Sequence, residues 1–328
     1  MEPAPFFADI AEAPSGGRTV WATAADGVRL RIGYWRGGET GERNGTVLIF
    51  PGRSEYIEKY GPALTRLTGA GHACLIIDWR GQGLSDRILA DPMSGHVHEF
   101  VDYQTDVAAL LQTASALGAP EPRFLLGHSM GGCIGLRALH SGLPVRAAAF
   151  SAPMWGIRIH PLLRPTALAL TTAARSVRQG HRYAPGTSAA TYVLEAAFED
   201  NFLTRDRAMW DFMRTQTQRH PELGLGGPSL HWLNEALAET RRLRTMPAPA
   251  TPCYTAFGTR ERIVDTLAID AVMAGWPNGR LDLFADPDAP ALASTTFLVE
   301  DFLPERIDFD LALPDRPLSL GDRPDLTL

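Results

Sequence analysis

The sequence has few cysteines and no long apolar run. Its three cysteines, Cys74, Cys133 and Cys253, lie far apart and form no C-x-x-C pair, which argues against a disulfide framework and favours a reducing compartment. The first ten residues lack a basic segment followed by a long apolar one, and no window reaches the roughly 18 apolar residues of a membrane span. We therefore expect a soluble, cytoplasmic protein whose contact with membranes is at most peripheral.

The sequence also lacks an excess of positive charge. Its 328 residues include 31 Lys and Arg against 37 Asp and Glu, which gives a formal net charge of −6. A protein that binds a nucleic-acid backbone needs a basic surface, so nucleic acid is not an expected partner. The length and the 45% hydrophobic content suit one large core with a sizeable insertion. The sequence makes no prediction about the oligomeric state.

Short apolar runs alternate with helical patterns along the chain. Between Arg18 and Tyr34 two alternating runs flank Asp26-Gly27, a dipeptide typical of hairpin turns. Residues 100–114 show helical spacing, with Asp102, Asp106 and Gln112 on the predicted polar face. Six further runs are apolar throughout, as in strands buried on both faces of a parallel sheet: 46–50, 73–77, 124–126, 147–150, 253–257 and 281–284. This alternation predicts an α/β fold with a doubly wound, mostly parallel sheet.

About a hundred residues separate the predicted sixth strand from the next one. They show helical patterns, so we predict a helical cap inserted after the sixth strand. Its apolar segments, such as 162–174, either line an acyl pocket or only cover the sheet and pack on the core. The predicted organisation is a first core segment at 1–151, the cap at 152–248, a second core segment at 249–303 and an extended, proline-containing tail at 304–328.

One serine stands in a pattern associated with catalysis. Gly127-His-Ser-Met-Gly131 follows a predicted strand and precedes a predicted helix, which is the context in which G-x-S-x-G forms the strained turn of a nucleophile. Glycines are needed there because a Cβ on either side would collide with the adjacent strand or helix. Ser129 is therefore the predicted nucleophile, and the alternative is a glycine-rich helix entry without chemistry.

Together with this turn, four other stretches resemble one family. They are 50–60 (FPGRSEYIEKY), 78–87 (DWRGQGLSDR), 91–97 (DPMSGHV) and, in the predicted cap, 225–232 (LGGPSLHW). Residues 45–303 thus resemble the α/β-hydrolase superfamily, in its lysophospholipase and monoacylglycerol-lipase-like branch, and above all the bacterial lysophospholipase L2 group. The resemblance implies a serine hydrolase of carboxylic esters, with a small lipid or ester as substrate and with no metal or organic cofactor.

The resemblance also implies roles for single residues. The backbone amides of Arg53 and Met130 would form the oxyanion hole. The side chain of Arg53 either has no role of its own or also meets a phosphate head group. Glu261, in Gly258-Thr-Arg-Glu-Arg-Ile-Val-Asp265, is the implied triad acid, with Asp265 as the second candidate. The alternative is that both are loop carboxylates paired with nearby arginines.

Two other polar clusters are expected to be structural. Asp78-Trp-Arg-Gly-Gln-Gly-Leu-Ser85 contains two glycines that permit a tight turn, and an aspartate and an arginine that can satisfy its backbone. His96 and His98 precede the helix predicted from Phe100, where a capping or surface role is expected.

The histidine that should accept the Ser129 proton is missing from its expected place. The family carries it in the loop after the last strand, but all nine histidines of this chain lie at or before His231. Asp288 lies near the vacant position, yet a carboxylate beside Glu261 would add repulsion. Three explanations stay open: the histidine belongs to a loop segment that this sequence omits, His220 or His231 of the cap replaces it, or the chemistry has been lost.

These explanations leave two further functions open. If the chemistry has been lost, the chain is a catalytically impaired hydrolase fold that binds a lipid or a partner protein. If the same machinery acts on another acyl bond, the protein is a thioesterase or a peptidase.

Overall fold

The computed structural model of the protein describes residues 1–38 and 44–284. Asp288, the end of the second core segment and the tail predicted at 304–328 lie outside these residues. The strands of the described part are β1 (Arg18–Thr23), β2 (Arg29–Trp35), β3 (Thr46–Phe50), β4 (Ala73–Ile77), β5 (Arg123–His128), β6 (Ala147–Ser151), β7 (Cys253–Gly258) and β8 (Gly279–Phe284). Each predicted run is thus confirmed as a strand, to within two residues at either end.

The eight strands form one sheet in the order β1-β2-β4-β3-β5-β6-β7-β8. The hairpin β1–β2 is antiparallel, β2 pairs antiparallel with β4, and the six strands from β4 to β8 are parallel. Alternate residues of a strand face opposite sides of the sheet. In β3, Leu48 and Phe50 accordingly belong to one buried cluster, and Val47 and Ile49 to another. The predicted α/β, doubly wound, mostly parallel sheet is therefore correct.

Helices cover both faces of this sheet and fill the interval after β6. They are α1 (Ala8–Ala11), α2 (Gly61–Gly69), α3 (Tyr103–Ala116), α4 (Met130–His140), α5 (Arg164–Ser176), α6 (Tyr192–Glu195), α7 (Arg207–Arg219), α8 (Leu230–Leu243) and α9 (Thr266–Ala274). In the described part of the chain, none of these combines the length and the apolar character that a membrane-spanning helix needs.

The helix predicted at 100–114 forms, but one of its polar residues was placed wrongly. A single 3-10 turn (Phe100–Asp102) leads into α3. Asp106 does not lie on a solvent-facing side, because it is fully buried and its Oδ1 is 2.7 Å from Nη2 of Arg80. The turn that carries Arg80 is structural, as expected: Asp78 accepts hydrogen bonds from the backbone amides of Ile57 and Leu84.

The interval between β6 and β7 contains α5, α6, α7 and α8, whereas the cap boundaries at 152 and 248 remain predictions. Helix α8 packs on the sheet, since its Trp232, Ala236 and Leu243 belong to the main core cluster. The side chain of Ser229 caps the start of α8 by accepting a hydrogen bond from the amide of Trp232. In contrast to α8, the segment around α5 exposes its large apolar side chains and does not pack them into the core: Leu162, Leu163, Leu168 and Leu170.

Candidate active site

Ser129 occupies the turn between the end of β5 and the start of α4. Its backbone angles are φ 48° and ψ −116°, a combination that costs a non-glycine residue about 1–3 kcal/mol and persists only where the surroundings enforce it. The enforcing contacts are backbone hydrogen bonds: the amide of Ser129 donates to Ser151 O at 3.0 Å, and its carbonyl accepts from the amides of Gly132 and Met154 at 2.9 and 2.8 Å. The side chain is half-buried and therefore accessible from outside.

The flanking glycines are required by close backbone approach. A Cβ on Gly131 would lie 1.9 Å from the carbonyl oxygen of Phe50, and one on Gly127 would lie 3.0 Å from the Phe150 ring. Phe50 ends β3, so the serine turn is packed directly against the start of the next candidate loop. The steric reason that the sequence suggested for these glycines is confirmed.

The loop after β3 carries Arg53, whose amide is the first predicted oxyanion donor. The amides on either side of it are engaged, because Gly52 donates to the carboxylate of Glu55 and Ser54 donates to Oε1 of Gln82. Met130 lies in the first turn of α4, where amides have no partner inside the helix. Within residues 1–38 and 44–284, neither the Arg53 nor the Met130 amide donates to any acceptor.

Glu55 anchors this loop from beneath, a role that the sequence analysis missed. Its carboxylate also accepts hydrogen bonds from Lys59 Nζ and, at 2.5 Å, from the Tyr60 hydroxyl. Burial alone would raise the pKa of Glu55, but the charge of Lys59 and these hydrogen bonds outweigh it and hold the pKa at about 2. Glu55 is therefore ionised at neutral pH, and its carboxylate holds the Gly52 amide by a hydrogen bond.

His128 precedes Ser129 but is turned away from it, towards Glu55. Its Nε2 lies 3.6 Å from Glu55 Oε1, and its Nδ1 is enclosed and has no hydrogen-bond partner within residues 1–38 and 44–284. Burial lowers the pKa of His128, against the opposing effect of Glu55, so the ring is neutral at pH 7. Its position next to Ser129 does not make it the base, because its ring lies against Glu55 and, among the described residues, has no hydrogen bond to the Ser129 hydroxyl.

Glu261 lies in the loop that follows β7, at the same edge of the sheet as the ends of β3 and β5. Its Oε1 accepts hydrogen bonds from the amides of Ile263 and Val264, at 2.6 and 3.0 Å. The predicted alternative of an arginine pair applies instead to Asp265, whose Oδ2 is 2.8 Å from Arg164 Nη2. The backbone thus orients Glu261 without neutralising its charge, and these contacts favour Glu261 over Asp265 as the acid.

The two cap histidines that were candidate bases are engaged elsewhere. His231 Nε2 is 2.6 Å from the carbonyl oxygen of His98. The His220 ring stacks on Phe7 at 3.7 Å between centroids, and its Nε2 is 3.5 Å from Asp9. All nine histidines lie in the described ranges, and none of them is hydrogen-bonded there to the Ser129 hydroxyl or to the Glu261 carboxylate.

Four histidines instead gather where the loop before α3 meets the cap. This histidine cluster consists of His96, His98, His181 and His231. The expectation that His96 caps a helix or lies at the surface was wrong, because it is 8% exposed and its Nδ1 is 2.8 Å from Ser229 Oγ. Burial, and then the charges of the other three histidines, lower its pKa to about 4. Among the described residues, no three or more His, Cys, Asp or Glu side chains are arranged to hold a metal ion.

Known proteins resemble this chain in sequence. A family model described as serine aminopeptidase, S33 (Hydrolase_4) matches residues 41–285. Lysophospholipase L2 of Escherichia coli K12 is 37% identical over 222 residues, which are 67% of this chain and 64% of that protein. The probable lysophospholipase L2 of Haemophilus influenzae is 30% identical over 240 residues, 72% of this chain and 74% of that one. The chain therefore spans slightly less than two thirds of the E. coli relative's length.

Solved structures share the fold at lower sequence identity. A monoglyceride lipase from Saccharomyces cerevisiae superposes with a TM-score of 0.62 at 21% identity, and the match covers 80% of this chain and 85% of the lipase chain. A carboxyl esterase from Bacillus coagulans gives a TM-score of 0.65 at 12% identity, covering 83% and 91%. The resemblance inferred from the motifs is confirmed, and the chain belongs to the Hydrolase_4 (serine aminopeptidase, S33) family and has the α/β-hydrolase fold.

Proposed function

We propose that this chain is a serine hydrolase of carboxylic esters that acts on lysophospholipids or monoacylglycerols through an acyl-enzyme at Ser129. The observation that carries the proposal is the strained turn of Ser129, because such strain is retained at functional sites and is costly elsewhere. The names of the relatives, lysophospholipase L2 and monoglyceride lipase, support the same class of substrate.

In this mechanism the Ser129 hydroxyl attacks the acyl carbonyl carbon and water later releases the acyl group. The developing oxyanion would accept hydrogen bonds from the amides of Arg53 and Met130, which have no acceptor within the described residues. Removing one such donor from an oxyanion hole typically costs a factor of about 10² to 10³ in kcat. Glu261 would orient the base that takes the serine proton.

One observation favours a second candidate, a catalytically impaired protein that binds a lipid or a partner. No histidine in the described ranges contacts both Ser129 and Glu261. In a serine protease, removing the base costs about 10⁶ in kcat and leaves about 10³ to 10⁴ over the uncatalysed rate. A chain without any base would therefore bind its ligand and show almost no turnover.

Covalent labelling with a fluorophosphonate separates these two functions, because the reagent reacts with a serine that is activated. We expect one adduct on the wild type by intact-mass analysis and none on Ser129→Ala. Glu261→Gln is expected to slow labelling and ester hydrolysis by about 10² to 10⁴, whereas the matched variant Asp265→Asn retains most of both. A folded wild type that forms no adduct would refute the esterase proposal and favour the binding protein.

We also propose that the protein meets its lipid at a membrane or micelle surface through the cap. Residues 152–194 contain five arginines and no Asp or Glu, in a chain whose net charge is −6. The exposed Leu162 and Leu163 lie in this stretch. The wild type should co-sediment with vesicles that contain anionic lipid, whereas a Leu162→Gln/Leu163→Gln variant should stay in the supernatant. Equal co-sedimentation of the two proteins would contradict the proposal. The cytoplasmic location stays a prediction.

A further inference from the structure

The side chain of Arg53 runs from the oxyanion loop into the junction between the core and the cap. Its Nη2 donates to Gly226 O at 2.8 Å, and its Nη1 is 3.2 Å from Ser54 Oγ. The guanidinium carbon lies 5.3 Å from the centre of the Trp232 ring. Gly95 leaves room for it, because a Cβ there would be 2.2 Å from Nη2. The chain thus builds a fitted place for this guanidinium.

In the part of the chain that the structure describes, Arg53 has no counter-charge in that place. No carboxylate oxygen of the described residues lies within 4.0 Å of its guanidinium nitrogens, whereas each of the fully buried arginines has at least one: Arg31 pairs with Asp78 and Glu58, Arg80 with Asp106 and Asp26, and Arg137 with Glu239. A buried charge without a partner is costly. Arg53 is half-buried and its Nε is enclosed, so among the described residues it differs from these three buried arginines in having no carboxylate partner.

A comparison with Arg87 shows that the one carbonyl group bound by Arg53, that of Gly226, compensates only in part for the missing counter-charge. Arg87 also lacks a carboxylate in the described region, but its Nη atoms donate to four carbonyl oxygens, at 2.7 to 3.2 Å. Among the described residues, Arg53 has two acceptors for its five N–H groups, and its enclosed Nε has none. Burial lowers the pKa of Arg53 to about 10, against the opposing effects of Tyr103 and Tyr183, so it is still cationic at pH 7.

We propose that the Arg53 guanidinium binds the phosphate of the substrate, so that the site selects phosphate-bearing esters over neutral glycerides. This inference rests on the proposed function, since the amide of the same residue is the proposed oxyanion donor. A phosphate on Arg53 would lie one arginine side chain away from the ester carbonyl. In a lysophospholipid a glycerol unit separates these two groups, and the remaining N–H donors of the guanidinium suit two phosphate oxygens.

The first test compares two substrates with the same acyl chain, 1-oleoyl lysophosphatidylcholine and 1-oleoylglycerol. For Arg53→Gln we expect the ratio of their kcat/KM values to fall about 10- to 100-fold, as for a lost charge-assisted hydrogen bond. Arg53→Lys keeps the charge and should recover part of the ratio. Arg87→Gln is the matched control and should leave the ratio at the wild-type value. Equal losses on both substrates with Arg53→Gln would overturn the inference and make Arg53 a structural tie to the cap.

A second test does not depend on turnover. In the Ser129→Ala background, glycerophosphocholine binding measured by calorimetry should be lost when Arg53 is changed to Gln. Inorganic phosphate distinguishes the two sources of the anion, and equal affinity for it would identify a free-phosphate site and overturn the assignment to the substrate. Absence of binding of either compound would also overturn it. If the wild type hydrolyses neither ester but glycerophosphocholine binds through Arg53, the proposed function fails while the phosphate site stands.

Discussion

Arg137 and Glu239 form a buried ion pair between the core and the helix that leads out of the cap. Arg137 lies on α4, the helix that begins directly after Ser129, and Glu239 lies on α8. Nε is 2.5 Å from Oε1, Nη2 is 2.6 Å from Oε2, and the two side chains are 9% and 8% exposed. This bidentate ion pair holds α8 against α4, the helix that follows the candidate nucleophile.

Removing one member should destabilise the protein strongly, because the other charge stays buried without a partner. The expected cost is about 3–5 kcal/mol for either Glu239→Gln or Arg137→Met. Since folded proteins are typically stable by about 5–15 kcal/mol, this is a large share of the total. The double variant Arg137→Met/Glu239→Leu removes both charges and should be close to wild type in stability, or above it.

Urea unfolding, followed by tryptophan fluorescence and circular dichroism, measures these differences through the transition midpoints. The control is Asp211→Asn, which breaks the pair of Arg207 and Asp211 on α7, whose side chains are 63% and 54% exposed. Its expected effect is below about 0.5 kcal/mol. Single variants that lose less than about 1 kcal/mol, or a double variant as unstable as the sum of the two, would refute the argument from buried charge.

Three other predictions concern the serine turn and the histidine cluster. Gly131→Ala should reduce the rate of fluorophosphonate labelling at least about 10²-fold, because its Cβ would displace the Phe50 carbonyl and the oxyanion loop. An unchanged rate would show that the loop can shift without affecting the reactivity of Ser129. Ser129→Gly should raise the free energy of unfolding by about 1 kcal/mol while Ser129→Ala does not, since only glycine relieves the strain at φ 48°; equal stabilities would count against the strain. His96 has a pKa of about 4 in the folded protein, against an ordinary value of 6.5. As pH falls, the unfolded chain therefore binds the proton first. The free energy of unfolding decreases between about pH 6.5 and about pH 4, by up to about 1.4 kcal/mol per pH unit. Urea titrations at several pH values should show a shallower loss for His96→Asn, and identical slopes would contradict the assignment.

The strands and the serine turn were predictable because their signals are local. The apolar runs at 46–50 and 73–77 coincide with β3 and β4, since a strand buried on both faces needs an apolar residue at every position. Asp26-Gly27 marked the hairpin because few residue pairs adopt its turn. The glycines around Ser129 were predicted to be steric necessities, and the contacts that a Cβ would make support this reason.

Polar residues inside the fold were predicted less well, because their partners are distant in the sequence. Helical spacing put Asp106 on a solvent-facing side, but Arg80, 26 residues earlier, pairs with it in the interior. His96 was expected to cap a helix or lie at the surface, but it is buried and hydrogen-bonds to Ser229, 133 residues later. Periodicity describes which residues share a face of one element, and it contains no information on what packs against that face.

The sequence by itself determined where the strands lie along the chain, the mostly parallel character of the sheet, the serine turn, and the absence of any histidine after His231. Only the tertiary structure decided which charges meet. In the folded protein Asp265 pairs with Arg164, whereas Glu261 accepts hydrogen bonds from backbone amides. His220 and His231 contact other groups than Ser129. Among the described residues, Arg53 has no carboxylate partner. The physical reason is that backbone conformation follows from neighbours along the chain, whereas charge pairing depends on distances between elements that only folding brings together.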